Sequence, residues 1–334
     1  MTLNKTFNNI PLSVLDLSPV NEGSDPGQSL QNSVDLAQHV EEWGFNRYWL
    51  AEHHNMPGIA SSATSVIIGQ IAGATNHMRV GSGGIMLPNH ATLVIAEQFG
   101  TLETLFPGRI DLGLGRAPGS DQATAYALRR TLNMGPEDFP LQVDELQGYF
   151  AGTECVHAVP GEGLDIPIWL LGSSGFSAQL SAQKGMPFSF ASHFSPDYTI
   201  PALNLYRSNF QPSATMEKPY AMLGVNVIAA DTDEQAHYIA TSQQQQFLSI
   251  RRGQPMKLQP PIKNIDDVWT EMEKAAVEKS LDSRSTIVGG PETVKQGLEA
   301  FLNETQADEF IINSQIFNHE DRLRSYEIIA ELMD

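Results

Sequence analysis

The sequence predicts a single α/β domain folded as a (β/α)8 TIM barrel with a late insertion. Short apolar runs rich in β-branched residues alternate with amphipathic stretches, and no Ser/Pro-rich linker divides them. This alternation favours one parallel sheet covered by helices. Eight such strand–helix units in 334 residues suit a closed barrel better than an open sheet. We therefore expect residues 1–334 to form one domain.

Eight segments have the apolar, β-branched composition of buried parallel strands. In chain order they are 10–17, 47–53, 79–87, 109–115, 166–172, 188–192, 220–230 and 308–315. The first helix is the best defined, with Asp25 as N-cap, Pro26 in the first position and Gly44 as the stop. Further helices are expected to begin at Ser195 and, after a turn at Gly289-Gly290, at Pro291.

Residues 251–283 interrupt this alternation late in the chain with prolines and charged side chains. One interpretation is a surface excursion that carries a single short helix. The other is a mobile lid over the mouth of the barrel, because long loops in barrels frequently act as covers. Both interpretations stay open at the level of sequence.

Composition argues against several classes of function. The chain has 20 Lys and Arg against 39 Asp and Glu, a net charge of −19, which disfavours binding to nucleic acid or to an anionic membrane. No apolar stretch approaches the roughly 20 residues of a membrane span, and no signal peptide is recognisable, so we expect a soluble, cytoplasmic protein. Cys155 is the only cysteine, which excludes an intrachain disulfide and a metal site built from cysteine pairs.

Catalytic side chains of such barrels lie at the C-terminal ends of the strands. Here the second strand ends in Glu52, His53 and His54. Adjacent strand residues point to opposite sides, so the two histidines should diverge unless the strand has already ended, and we expect no metal. One imidazole would face the barrel mouth as an acid, a base or a hydrogen-bond donor. The alternative is that both histidines merely cap the strand.

The fifth strand runs through Gly172, Ser173 and Ser174 into a helix whose first turn carries Ser177. The N–H groups and positive dipole end of a helix start, together with nearby hydroxyls, form a site for a phosphate. Serines in these positions also occur as plain N-caps. The segment therefore predicts either a phosphate site or an ordinary helix start.

The stretch GLGRAPGSD, residues 113–121, begins like a dinucleotide-binding loop. The third glycine of that fingerprint is replaced by Pro118, which has no backbone N–H. Instead, Arg116 is suited to bidentate contact with one phosphate. The alternative for Arg116 is an ion pair with Asp111 or Asp121. A single phosphate is better supported than a pyrophosphate.

Gly83 and Gly84 lie within the third predicted strand. They either kink the strand or leave bare backbone on which a flat ligand can lie. A planar ring system with one phosphate is the ligand that this pair and the phosphate-site residues suggest together. Flavin mononucleotide, FMN, is such a molecule.

Residues 48–119, which contain Glu52, Gly83-Gly84 and Arg116, closely resemble the luciferase-like flavin-dependent monooxygenases, in particular a bacterial subgroup of unknown substrate. The resemblance extends from about Ile10 to the C-terminus. It implies a (β/α)8 barrel with an insertion late in the chain. It also places Glu52, His53 and His54 beside the flavin and the substrate, with His53 as the leading catalytic residue.

The resemblance further implies where the cofactor lies. A non-prolyl cis peptide beneath the isoalloxazine would fall at Gly83-Gly84. The residues that would contact the phosphate are Arg116, Ser173, Ser174 and Ser177.

For function, the resemblance implies that reduced FMN reacts with O2 to form a C4a-(hydro)peroxide, which oxygenates a small organic substrate. Since the chain has no recognisable NAD(P)H fingerprint, we expect a separate NAD(P)H:flavin reductase to supply the reduced FMN. His53 would stabilise or protonate that peroxide. A homodimer is implied as well. The alternatives are an F420-dependent oxidoreductase and a flavin-binding protein without turnover.

Two positions depart from bacterial luciferase. Gly115 stands where the light-emitting subunit has a reactive cysteine, and Ser173 stands where it has an acidic residue. Light emission from a long-chain aldehyde therefore does not carry over to this chain.

Overall fold

The computed structural model describes residues 5–117, 122–129, 136–281 and 284–334. Within them the strands, in chain order, are β1 (Thr6–Phe7), β2 (Ile10–Asp16), β3 (Arg47–Leu50), β4 (Arg79–Ser82), β5 (Ile85–Met86), β6 (Ile110–Gly115), β7 (Ile168–Gly172), β8 (Phe188–Phe190), β9 (Ala221–Ala229), β10 (Thr286–Gly289) and β11 (Glu309–Asn313). Eight of them pair in parallel in the order β2-β3-β4-β6-β7-β8-β9-β11. The last barrel strand, β11, pairs with the first barrel strand, β2, with Phe310 beside Leu12, so the barrel is closed.

Helices connect the strands on the outside of the barrel. They are α1 (Pro26–Trp43), α2 (Thr64–Ala74), α3 (Thr92–Leu105), α4 (Gln122–Arg129), α5 (Phe139–Ala151), α6 (Gly175–Lys184), α7 (Thr199–Asn209), α8 (Asp233–Arg251), α9 (Glu271–Leu281), α10 (Pro291–Thr305) and α11 (His319–Glu331). In the described part of the chain, none of them combines the length and apolarity that a bilayer crossing requires. The predicted ends of α1 are confirmed, because Asp25 accepts a hydrogen bond from the Gln28 N–H and Gly44 adopts a φ of 92°.

All eight predicted strands are confirmed, with differences in detail. The predicted strand 47–53 ends at Leu50, so Glu52, His53 and His54 lie in the segment that follows it. The predicted strand 79–87 is divided at Gly83-Gly84 into β4 and β5. Strand β10 was not predicted, and it pairs with the second half of β9, Thr286 beside Asn226. The turn expected at Gly289-Gly290 therefore begins one residue late, because Gly289 still belongs to β10.

Two apolar layers hold the fold together. The larger one fills the space between the barrel and its helices, with Leu12, Val14 and Phe99 fully buried. The smaller one fills the barrel interior and includes Trp49 and Trp169, whose rings meet edge to face at 5.2 Å. Burial of this surface is the main driving force for folding.

A buried ion cluster closes the N-terminal end of the barrel. The Arg47 guanidinium donates to Asp111 at 2.7 Å and to Glu309 at 2.8 Å, and Arg79 donates to Asp111 at 2.7 Å. These residues lie at the starts of their strands. The opposite, C-terminal end is thus the end that is left for chemistry.

The late insertion leaves the barrel wall after α8 and returns at β10. It contains α9, the short helix that the sequence predicts. Its backbone is joined to the loop after β2, since the Leu258 N–H donates to the Val20 carbonyl at 2.9 Å and the Glu22 N–H donates to the Leu258 carbonyl at 2.8 Å. The segment therefore lies beside the C-terminal strand ends, and its motion as a lid stays a prediction.

Candidate active site

A small, largely apolar cavity of about 60 Å³ lies at the C-terminal mouth of the barrel. We call it the mouth cavity. Its walls include His53, Gly83, Leu171, His193 and Gly224, which belong to strands on opposite sides of the barrel or follow them directly. The strand ends therefore bring together residues that are far apart in the chain.

Glu52 is a buried carboxylate, 1% exposed, directly after β3. Its Oε1 accepts hydrogen bonds from His54 Nε2 and from His90 Nε2, both at 2.8 Å, and its Oε2 accepts one from the Met86 N–H at 3.0 Å. Burial by itself would raise the pKa of Glu52, but the bonds from His54 and His90 outweigh it and lower the pKa to about 2. Glu52 is thus a charged anchor that joins three segments, and it is not suited to be a proton donor.

The two adjacent histidines diverge, although both follow the end of β3 at Leu50 and so lie outside its period-two alternation. His53 lines the mouth cavity, whereas His54 is directed to the Glu52 carboxylate. His53 Nδ1 lies 2.7 Å from the Glu52 carbonyl oxygen, so Nδ1 carries the proton. Burial lowers the pKa of His53, against a smaller opposing effect of the Glu52 charge. The imidazole is therefore neutral at pH 7, with its Nε2 lone pair left to accept a proton.

Glu52, His54 and His90 also have the composition of a metal site. Among the described residues, their ligand atoms lie within 4.8 Å of one another, and two imidazoles with one carboxylate are a known ligand set. The sequence-based expectation of no metal considered only His53 and His54. His90 follows β5, whereas Glu52 and His54 follow β3. In the structure the hydrogen bonds to Glu52 already give these ligand atoms partners.

The peptide bond between Gly83 and Gly84 is cis, which confirms the expectation from the family resemblance. A side chain at Gly84 would collide with backbone, and one at Gly83 would force the Leu15 side chain to move. A Cβ on Gly83 would lie 2.7 Å from Leu15 Cδ1, and a Cβ on Gly84 would lie 2.7 Å from the Gly113 carbonyl oxygen. The mouth cavity is therefore bounded here by bare backbone, the surface on which a flat ring can lie.

The predicted phosphate residues meet at the start of α6. Ser173 and Ser174 are exposed, and Ser177 is 3% exposed. In the described structure the Ser174 side chain makes no capping hydrogen bond to the first turn, so it leaves those N–H groups to a ligand. A Cβ on Gly172 would lie 2.6 Å from Ser177 Oγ, which accounts for the glycine.

Arg116 is directed to the same helix start. Its guanidinium carbon lies 4.0 Å from the centroid of the Phe176 ring, in the first turn of α6. The alternative partner Asp111 is engaged by Arg47 and Arg79, and Asp121, like Pro118, lies outside the described residues. The geometry thus favours a ligand at α6 over an ion pair with Asp111.

A second, larger cavity of about 320 Å³ adjoins the mouth cavity, and we call it the outer cavity. The two share His193 and Phe194. Burial lowers the pKa of His193 to about 4, against a smaller opposing effect of the Gly224 carbonyl. A Cβ on Gly224 would come within 2.3 Å of His193 Nδ1. No role was predicted for His193, although its position at the end of the sixth strand could have indicated one.

Comparison with known proteins gives one consistent family. A sequence model described as luciferase-like monooxygenase matches residues 10–309. A luciferase-like monooxygenase of Escherichia coli (strain K12) is 53% identical over 98% of both chains. The N-acetyl-S-alkylcysteine monooxygenase of Bacillus subtilis (strain 168) is 31% identical over 96% of this chain and 98% of its own. The crystal structure of apo-MsnO8 has a TM-score of 0.86 and 32% identity over 97% of this chain and 98% of its own.

More distant structures share the fold. The oxygenating constituent of 3,6-diketocamphane monooxygenase from Pseudomonas putida, in complex with FMN, has a TM-score of 0.73 at 15% identity, over 96% of this chain and 97% of its own. An F420-dependent secondary alcohol dehydrogenase has a TM-score of 0.69 at 11% identity, over 98% of this chain and 100% of its own. At these identities the likeness concerns the barrel alone.

Proposed function

Because the chain belongs to the luciferase-like monooxygenase family, we propose that it is a flavin-dependent monooxygenase that uses reduced FMN and O2 to oxygenate a small organic substrate. One observation carries the choice of cofactor. Bare backbone at Gly83-Gly84 borders the mouth cavity beside His53, while Arg116 reaches the start of α6. This combination suits a single phosphate at α6 and a planar ring that covers the mouth cavity, which at about 60 Å³ is too small to enclose the three fused rings of a flavin.

The residues fit FMN at both ends. A phosphate at the start of α6 would accept hydrogen bonds from the helix N–H groups, from Ser173 and Ser174 and from Arg116. The ring would lie on Gly83-Gly84, where a side chain would meet backbone or Leu15. The F420-dependent neighbour is 11% identical to this chain, and a likeness at that identity indicates a shared fold but no shared cofactor. We therefore prefer FMN as the cofactor.

Reduced FMN, when bound, supplies the electrons that activate O2. The chain orients the cofactor, excludes water and controls one proton. Neutral His53, held through Nδ1 by the Glu52 carbonyl, presents Nε2 to the mouth cavity as a proton acceptor and, once protonated, as a donor. The apolar walls formed by Leu171 and Phe190 keep bulk water from the reacting region.

The proposal includes two partners, a flavin reductase and a second copy of this chain. The stretch 113–121 is not a complete dinucleotide fingerprint, so a separate NAD(P)H:flavin reductase is the economical source of reduced FMN. The proposed form of the enzyme is a cytoplasmic homodimer. Light scattering on the purified protein would measure the oligomeric state directly.

Stopped-flow mixing of protein and reduced FMN with O2 tests the proposal. We expect flavin reoxidation to be slower than for free reduced FMN, with less hydrogen peroxide once a substrate is present. His53→Asn should raise the peroxide yield, whereas His157→Asn, at an exposed histidine far along the chain, should not. The proposal is contradicted if bound reduced FMN reoxidises as fast as free reduced FMN, or if the protein oxidises NADH rapidly without a reductase. Tight F420 binding with negligible FMN binding would also contradict it.

A further inference from the structure

The wall of the outer cavity is divided into two chemically different parts. Six carboxamide side chains contribute to one part, three of them from α8, two from the strands β9 and β11, and one from the segment after β11. They are Gln243, Gln244, Gln246, Asn226, Asn313 and Gln315. The other part is apolar and consists mainly of Phe194, Phe247 and Ile250. A ligand that fills this cavity therefore needs both a hydrogen-bonding portion and an apolar one.

Several of these carboxamides are incompletely bonded within the protein. Among the described residues, the side-chain oxygens of Gln243, Gln244, Gln246 and Asn313 are buried and have no hydrogen-bond partner. Gln246 is 9% exposed and Asn313 is 5% exposed. Buried carbonyl oxygens without partners are unfavourable. These oxygens have almost no accessible surface, so a ligand that donates N–H groups would bond them once the carboxamides rotate toward the cavity.

The charged groups specify the ligand further. Among the described residues that line the outer cavity, Arg251 is the one cation and Asp197 the one carboxylate. The Arg251 guanidinium carbon lies 5.8 Å from the Phe247 ring centroid, at the border between the polar and the apolar wall. A guanidinium in this position suits a carboxylate.

We propose that the outer cavity is the substrate site and that the substrate class is N-acylated amino acids with an apolar side chain. The amide group would bond the carboxamide wall, the carboxylate would pair with Arg251, and the side chain would pack on Phe194, which borders the mouth cavity. The cavity of about 320 Å³ is at the small end of the range for small-molecule sites, about 300–1,000 Å³. The inference rests on the proposed function, because a flavin that covers the mouth cavity would face this side chain.

Calorimetric titration of the flavin-free protein tests the substrate class without any turnover. The probe is N-acetyl-L-methionine, and its methyl ester and free L-methionine are the matched comparisons. We expect the acid to bind at least about tenfold more tightly than the ester, because the ester loses the charged bond to Arg251. L-Methionine, which has an ammonium group in place of the amide, should bind more weakly than the acid.

Two variants test the contact with the carboxamide wall and the contact with Arg251 separately. Gln246→Leu should weaken binding of the acid about fivefold, the usual worth of one hydrogen bond. Arg251→Gln should abolish the preference for the acid over the ester. Gln296→Leu makes the same chemical change as the first variant on the outside of α10 and should bind like the wild type. Titration with FMN, unchanged in all three, shows that each variant is folded.

The outcomes distinguish the two proposals. If FMN binds but N-acetyl-L-methionine does not, or if the ester binds as tightly as the acid, the substrate class is wrong and the flavin-dependent function stands. If both variants leave binding unchanged, the contacts assigned here are wrong. If N-acetyl-L-methionine binds while FMN does not, the ligand class of the outer cavity stands, but the proposed function fails and the cavity loses its assignment as the substrate site.

Discussion

Glu52 illustrates how a single buried side chain organises the mouth of the barrel. It joins the end of β3 to Met86 in β5 and to His90 in the segment that follows. His54 is a further donor to the same carboxylate. The neighbouring His53 is consequently left to face the mouth cavity, and its role depends on the anchor beside it.

The first prediction concerns the pH dependence of this anchor. The folded-state pKa of Glu52, about 2, lies below its ordinary value of 4.5. The stabilisation is therefore complete above pH 4.5 and is lost as the pH falls toward 2. Glu52→Gln should reduce the free energy of unfolding by about 3 kcal/mol at pH 7 and by about 1 kcal/mol near pH 3, as measured by urea denaturation.

Glu162→Gln is the matched control, because this more exposed carboxylate also contacts a histidine, His157. Its effect on the free energy of unfolding should be small at both pH values. An equal loss for Glu52→Gln at pH 7 and at pH 3 would show that the carboxylate charge is not responsible.

The second prediction concerns Arg116. Arg116→Ala should weaken FMN binding by about 1.5–3 kcal/mol, the usual worth of a hydrogen bond to a charged group. Riboflavin, which lacks the phosphate, should bind the variant and the wild type equally well. Fluorescence titration of both flavins measures this. A similar loss for riboflavin would mean that Arg116 acts on the ring or on the fold.

At the residue scale, local patterns predicted the site only where neighbours in sequence are neighbours in space. His53 and His54 lie after the end of β3, where strand alternation does not apply. The Gly83-Gly84 pair both divides the predicted strand 79–87 and leaves bare backbone beside the mouth cavity. His90 and His193 were not predicted, because their relation to Glu52 and to Gly224 depends on how distant strand ends meet. A sequence alone does not show such contacts.

At the scale of elements, the late insertion is held by specific contacts. Arg252 donates to both carboxylate oxygens of Glu273 in α9, at 2.8 and 2.9 Å. Helix α9 in turn supplies Ala276 to the wall of the outer cavity. The position of this helix therefore affects how well the cavity is closed.

The third prediction follows from this pair. Glu273→Gln should leave FMN affinity unchanged but increase hydrogen peroxide release severalfold during turnover, because a looser α9 admits water to the reacting region. Glu304→Gln, which removes another surface ion pair, that of Arg284, should leave peroxide release at the wild-type level. Equal peroxide release from all three proteins would argue against a role of the insertion as a lid.

Elements with complete local signals were predicted to within a few residues. Helix α1 has an N-cap, a proline and a C-terminal glycine, and its bounds are confirmed. Strand β10 has only four residues and follows the irregular insertion, so no alternation was visible around it. It exists because β9 extends beyond its other neighbours and offers a pairing edge.

At the scale of the whole molecule, the closed barrel makes the proposed cofactor site a composite of several elements. Gly83 and Gly84 follow β4, Arg116 follows β6, and Ser177 belongs to α6. A ligand that bonds all of them binds only the folded chain. Its binding free energy should therefore stabilise the barrel as a unit.

The fourth prediction is a thermal shift. FMN at about 100 times its Kd should add about 2.7 kcal/mol of stability, which corresponds to about 4 °C in Tm for a chain of this length. Calorimetry measures the shift, and riboflavin at the same concentration should give a smaller one. A shift with F420 but none with FMN would reverse the choice of cofactor.

Gly224 has a practical consequence for enzyme engineering. Its missing side chain provides the space that the His193 ring occupies between the two cavities. Any larger residue at position 224 would displace that ring and change the width of the passage between them. Because position 224 lies on β9, two strands away from β7 and the start of α6, a small library at this site offers a way to alter which molecules the protein accepts while the proposed phosphate contacts stay intact.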